Sequence, residues 1–212
     1  MTVHDWDGGT GFRAADRVRA DDMRADVYRL LALMLMGPPS GGLLSLVGGL
    51  SGDGTPLGRA FDDLAARARA AEPHAAEREF NALFIGVVQG ELVPYASYYR
   101  TGFLSDRPLA ALRSDLQALG LERADGVSEP EDHIAALCDV MAVLIREGAE
   151  RAVQRHMFDS HLAPWAGRFF RDLEAADSAD LYRPVGTIGR LFLEVEREAA
   201  DLDDPELEEA EA

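Results

Sequence analysis

Ser97, Asp132 and His133 are the residue types from which a hydrolytic triad is built, so they are the first test of whether this chain does chemistry. Ser97 sits in Tyr95-Ala96-Ser97-Tyr98-Tyr99, not in the Gly-x-Ser-x-Gly turn that exposes a nucleophile. Asp132 and His133 are adjacent on a predicted helix, where neighbouring side chains diverge by about 100° and do not orient one another. The histidines are His4, His74, His133, His156 and His161, and no two are four apart, the spacing that puts two imidazoles on one helix face. His156 and His161 are five apart across a predicted helix break, so no metal site is expected. Gly8-Gly9-Thr10-Gly11, Gly41-Gly42 and Gly52-Asp53-Gly54 follow no strand and carry no phosphate-binding lysine, so they read as loop glycines.

Two other segments carry more signal. Ser128 and Glu131 have capping-box spacing and Pro130 suits a first helical turn, so a helix start is predicted there. Glu129, Glu131 and Asp132 gather at the positive end of that helix, one acid more than a cap needs. Such a cluster suits a ligand that bears arginine. Upstream, Phe80, Phe84, Tyr95, Tyr98, Tyr99 and Phe103 fall within 24 residues. Phe80, Leu83 and Phe84 have the spacing of a helical core face, whereas tyrosines in a loop line recognition surfaces. An apolar groove beside carboxylates suits a peptide whose basic stretch precedes an apolar one.

The elements that must position these groups are all helical. Val27, Leu30, Leu31, Met34 and Leu35 open a helix that is apolar nearly all round and ends at Gly37-Pro38-Pro39. Leu43–Leu50 reads as a brief helix, Pro56–Ala71 as a longer one, and another starts near His74 and carries Phe80, Leu83, Phe84 and Val87. Leu92–Leu104 shows no period and is expected to be a loop dense in aromatic rings. A helix over about 108–119 follows, then a polar link over 122–127. Ile134, Leu137, Cys138, Met141, Leu144 and Ile145 share one face of the helix that Ser128 opens, and Gly148 interrupts it. Leu162, Trp165, Phe169 and Leu173 mark the next helix. Ile188, Leu191, Phe192 and Val195 mark the last, from about Pro184. Period-2 alternation never lasts. The expectation is an all-α, single-domain bundle of about eight to ten helices over 21–198, in two halves hinged near 121–133. A flexible arm, 1–20, precedes it, and an acidic tail, 199–212, follows.

Composition narrows the function classes. The 212 residues hold 38 acidic and 21 basic groups, for a net charge of −17. Such a surface repels phosphate backbones and anionic lipid heads, which argues against nucleic-acid or membrane partners and for a basic one. All 21 basic residues are arginine, so chemistry that depends on lysine is excluded. The single Cys138 allows no internal disulfide and fits a reducing compartment. The N-terminus lacks an apolar signal region and the longest apolar run, Leu30–Met36, is far too short to span a bilayer. A cytoplasmic location is the expectation.

Phe80-x-x-Leu83-Phe84-x-Gly86, then Pro94-Tyr95-x-Ser97-x-Tyr99, then Glu129-Pro130-x-Asp132-His133 resemble, in order and spacing, the TorD/DmsD family of molybdoenzyme maturation chaperones. Phe158, His161-x-x-Pro164-Trp165, Phe169 and Tyr182 are similar to the family's C-terminal half, and the likeness covers about residues 24–197. The resemblance implies a non-enzymatic all-α chaperone. Such a chaperone binds the twin-arginine signal peptide, or another segment, of a molybdenum oxidoreductase precursor. It holds the apoenzyme for insertion of bis-molybdopterin guanine dinucleotide and delays export. It binds no cofactor tightly, although some members bind guanine nucleotide weakly and some form domain-swapped dimers in place of monomers. By the family pattern, Phe80, Leu83, Phe84, Pro94, Tyr95, Ser97 and Tyr99 shape the peptide groove, and Asp132 and His133 sit at its edge near the hinge. With Glu129 and Glu131, Asp132 would accept the peptide's arginines. Phe80, Tyr95 and Tyr99 stand where some members carry tryptophan. The rival expectations are a nucleotide-binding or hydrolysing enzyme that uses Asp132 and His133, and a permanent structural subunit of an oxidoreductase.

Overall fold

Ten α-helices and two π-helical turns, with no strand, make up the described residues, which in this computed structural model are 8–86, 89–123 and 129–202. The order is α1 (Gly8–Met36), α2 (Gly41–Gly48), α3 (Pro56–Ala70) and α4 (Pro73–Phe80), which runs into the first π turn, π1 (Asn81–Ile85). Next come α5 (Ala96–Thr101), α6 (Arg107–Ala118), α7 (Ile134–Arg146) and α8 (Arg151–Met157), which runs into π2 (Phe158–Leu162). α9 (Ala166–Ala175) and α10 (Tyr182–Leu202) close the chain. α1 lies along α7, α10 packs on α9 and α3, and α2 packs on α3. One hydrophobic core runs through all of them, from Ala25 and Tyr28 to Phe192 and Leu193.

Local signals account for most boundaries. Ser40 Oγ accepts from the Leu43 N–H at 3.2 Å and Thr55 Oγ1 from the Gly58 N–H at 3.0 Å, so α2 and α3 start at side-chain caps. Ile134, Leu137, Cys138, Met141, Leu144 and Ile145 are all buried, the α7 face that the periodicity predicts. Close helix packing explains two glycines in α10. A Cβ on Gly189 would stand 2.3 Å from the Phe170 ring, and one on Gly186 2.8 Å from the Glu174 nitrogen. Gly189→Ala is therefore expected to lower stability by about 1–3 kcal/mol, read as a shift in the urea midpoint, because Phe170 is itself fully buried.

Several expectations give way. Residues 8–20, read as an arm, are the first turns of α1, and the alanines and arginine of Arg13-Ala14-Ala15 have high helix propensity. α10 likewise runs through 199–202, and residues 203–212 and 1–7 lie outside the described residues. The aromatic segment 92–104 contains α5, a helix too short to show a period. α4 widens into π1 instead of continuing to Val87, which lies outside the described residues. α7 begins at Ile134, not at Ser128. Ser128 lies outside the described residues, as does the 124–127 part of the expected 121–133 hinge. Asp132 and His133 are therefore not helical neighbours: Asp132 ends a turn, and His133 makes an isolated antiparallel bridge to Tyr95 just before α7.

Candidate functional site

The site is built where two stretches distant in sequence are tied together. The Ala96 N–H donates to the Asp132 carbonyl at 3.0 Å and the Ile134 N–H to the Pro94 carbonyl at 2.9 Å, so 94–96 and 132–134 run antiparallel. The Asp132 carboxylate then caps α5 from outside, accepting the Ser97 N–H on Oδ2 at 2.8 Å. Its Oδ1 is buried with no hydrogen-bond partner. His133 is the N-cap of α7, its Nδ1 accepting from the Ala135 N–H at 3.1 Å. That explains a histidine the capping-box reading left over. Burial holds His133 down at about 4, against the pull of Glu129 and Asp132, so the ring is neutral and its Nδ1 lone pair stays free to cap.

On the other side, α4 and π1 present the aromatic residues. π1 ends at Gly86, whose φ of 64° and close approach to the Gln89 carbonyl require glycine. The chain returns alongside, with the Leu92 N–H donating to the Leu83 carbonyl at 2.8 Å. Phe80 and Leu83 go into the core, Phe80 against Phe84 and Tyr182, with ring centroids 5.0 and 6.1 Å apart. Phe84 is half-buried and faces a groove of about 480 Å³ together with Ile85, Pro94, Tyr95, Phe103 and Leu104. Phe103 is 72% exposed, and Ile85 and Leu104 are also open to solvent. Contiguous apolar surface of this kind marks a binding site more often than a defect of packing.

A second, charged recess of about 420 Å³ shares Tyr98 with the groove. Tyr99 lies there, its hydroxyl donating to Asp172 Oδ2 at 2.9 Å and its ring covered by the Arg168 guanidinium at 5.6 Å. Trp165 and Phe169 hold the ring from below, at 5.4 and 5.9 Å. Burial, then the bonds to Glu129 and Asp172, push the Tyr95 and Tyr99 phenols up, so both stay donors.

Of the residues singled out in the sequence, Phe84, Pro94 and Tyr95 meet at the groove and Tyr99 sits in the recess beside it. Phe80, Leu83, Ser97, Asp132 and His133 lie beneath and hold the wall. The expected cluster of three carboxylates does not form on the surface. Asp132 is 1% exposed. Glu131 is bound by Arg113 Nε at 2.9 Å, which outweighs its burial and leaves its carboxyl below the usual range. Glu129 alone of the three is exposed, and it accepts the Tyr95 hydroxyl at the groove's edge. Ile85, Val93 and Leu104 were missed. Gly102, at φ 83°, ends α5 and turns Phe103-Leu104 outward, and an apolar pair directly after a helix-ending glycine is the signal that points to them.

An enzymatic use of Asp132 and His133 has no geometry to support it, because both are buried and the His133 Nδ1 is occupied by its cap. What the fold and site define is an all-helical protein with an open apolar groove. The same fold is seen in a crystal structure described as a putative redox enzyme maturation protein from Archaeoglobus fulgidus, with a TM-score of 0.59 and 21% identity over 81% of this chain and 94% of that one. The family follows from the sequence: residues 51–171 match the model of the nitrate reductase delta subunit family, and the chain belongs to that family. Among its relatives is the chaperone protein TorD of Vibrio cholerae, 28% identical over 134 residues, 58% of this chain. TorD of Vibrio vulnificus is 30% identical over 86 residues, 40% of each chain. The Vibrio cholerae match spans 61% of the relative's length, less than two thirds. The resemblance drawn from the motifs and the all-α expectation both agree with these matches. No helix among the described residues is long and apolar enough to cross a membrane.

Proposed function

We propose that the protein is a non-enzymatic, cytoplasmic chaperone for the maturation of a molybdenum oxidoreductase. It binds the precursor's twin-arginine signal peptide or N-terminal segment and holds the apoenzyme while bis-molybdopterin guanine dinucleotide is inserted. The observation that carries this reading is the solvent-open groove of Phe84, Ile85, Pro94, Tyr95, Phe103 and Leu104, bordered by Glu129. The apolar stretch of the peptide lies in the groove. Glu129, backed by the Tyr95 hydroxyl, takes a guanidinium, and the net charge of −17 draws the basic peptide in. Asp132, Ser97 and His133 are positioning residues that fix the wall from behind. The relatives named as chaperones, and the match to the delta subunit family, support a partner that is an oxidoreductase precursor.

Titration of a fluorescent peptide containing Arg-Arg and then an apolar run tests this. Binding in the micromolar range is expected, falling with salt. Burying one phenylalanine is worth roughly 1.5–3 kcal/mol, so Phe103→Ser is expected to weaken binding at least about tenfold. Its melting temperature should not move, because the ring makes little contact in the free protein. Unchanged affinity in Phe103→Ser would overturn the groove assignment.

A further inference from the structure

His156 and His161 do come together. In an α-helix, residues five apart point about 140° away from each other. Here π2 intervenes, and the Ala163 N–H donates to the Phe158 carbonyl at 2.8 Å, five residues back. The wider turn rotates His161 onto the side of His156 and brings the rings to 6.1 Å between centroids. Asp115 reaches them from α6. Its Oδ2 lies 2.7 Å from His161 Nε2 and 3.0 Å from His156 Nε2.

We propose that Asp115, His156 and His161 bind one divalent transition-metal cation of the zinc class. Their ligating atoms lie within 4.8 Å of one another. Ligands at roughly 2.0–2.2 Å from zinc stand about 3.3 Å apart, so a small rotation of the exposed His156 ring completes the set. Two imidazoles and a carboxylate are a borderline donor set that suits zinc, cobalt or nickel better than magnesium or calcium. One outer contact reaches a ligand ring and another fixes a ligand's backbone. Ser160 Oγ stands 3.4 Å from His156 Nδ1, and Trp165 Nε1 donates to the His161 carbonyl at 2.6 Å. His161 is buried with its Nε2 on Asp115, while His156 is more than half exposed and leaves an entry path. Three protein ligands leave the fourth position to water or to a partner's side chain. The cation fastens α6, which precedes the 121–133 link, to α8 and π2, which follow it. This does not rest on the chaperone reading.

Tag-free, chelator-stripped full-length protein titrated with Co²⁺ and then Zn²⁺ tests the site. One equivalent is expected to bind, with a cobalt visible spectrum that zinc displaces and a melting temperature raised by several degrees. His156→Ala is expected to weaken binding at least about tenfold without loss of the fold, because that ring is exposed. Asp115→Asn is the second variant and should weaken binding with it. Absence of saturable one-to-one binding at micromolar metal overturns the proposal. So does binding that His156→Ala and Asp115→Asn leave intact, which would place the cation elsewhere on this acidic chain.

Discussion

Replacing Arg24 with Met is expected to lower the stability of the protein by about 3–5 kcal/mol, although Arg24 does not line the groove. Arg24 grips Glu196 with both arms of its guanidinium, Nε to Oε1 at 2.6 Å and Nη2 to Oε2 at 2.9 Å. Glu196 is 4% exposed, and the fully buried Tyr28 hydroxyl adds a third bond, at 3.0 Å to Oε2. Arg24 Nη1 also donates to Asp21 at 2.8 Å and to Gln154 at 3.1 Å, so one side chain joins α1, α8 and α10. Removing the cation strands a carboxylate in the core with one neutral donor, and the loss is that of an uncompensated buried charge. The double variant Arg24→Met, Glu196→Leu is expected to recover most of the loss, because two apolar side chains of similar volume need no partner. Urea denaturation of the two single variants and the double variant measures the coupling. A loss below about 1 kcal/mol in Arg24→Met would mean that water reaches Glu196.

This network shows where a one-dimensional reading stops. The apolar faces of α7 and α9 were legible because burial and periodicity coincide there. In α10 they part. Ile188 and Phe192 continue a stripe of threes and fours that leads to Glu196, not to Val195, and Val195 is exposed. An acidic residue in the stripe is discounted unless its arginine, 172 positions away, is already known to face it. The same holds at the site. The motif positions 94–99 and 129–133 were legible as a pair, and the structure does tie them together. Their roles were not, because Pro130 and Glu131 make a plausible local cap that the long-range pairing with 94–96 overrides, moving the helix start to Ile134. The two π turns were invisible for a related reason. Each adds a residue per turn without a marker residue, so the five-residue spacing of His156 and His161 read as divergence.

His133 carries the second large effect, and it is a dependence on pH. Burial, opposed by Glu129 and Asp132, places its folded value at about 4, against an ordinary 6.5. Between those values the unfolded chain binds a proton that the folded protein does not, so stability is complete above about 6.5 and is lost as the pH falls toward 4. The displacement amounts to about 3 kcal/mol. Protonation acts on a named bond, since Nδ1 cannot hold a proton and still accept from the Ala135 N–H. Carboxylates held low, Glu131 and Glu91 among them, lose their contributions only below about 4.5, in a separate window. His133→Asn keeps a capping oxygen without a titratable ring. Denaturation at several pH values is therefore expected to show a wild-type loss of about 2 kcal/mol from pH 7 to 5 that is largely absent in the variant. The other histidines contribute equally to both proteins, and the difference isolates His133. Equal slopes in the two proteins would remove His133 from the account. Because His133 anchors the 132–134 stretch against 94–96 and stays neutral in the folded protein down to about 4, the wall behind Tyr95 should loosen only as the pH approaches that value. Peptide affinity of the folded wild type is then expected to hold from pH 7 to 5, where stability already falls, and to drop only as the pH nears 4, so the two titrations separate loss of the fold from loss of the groove.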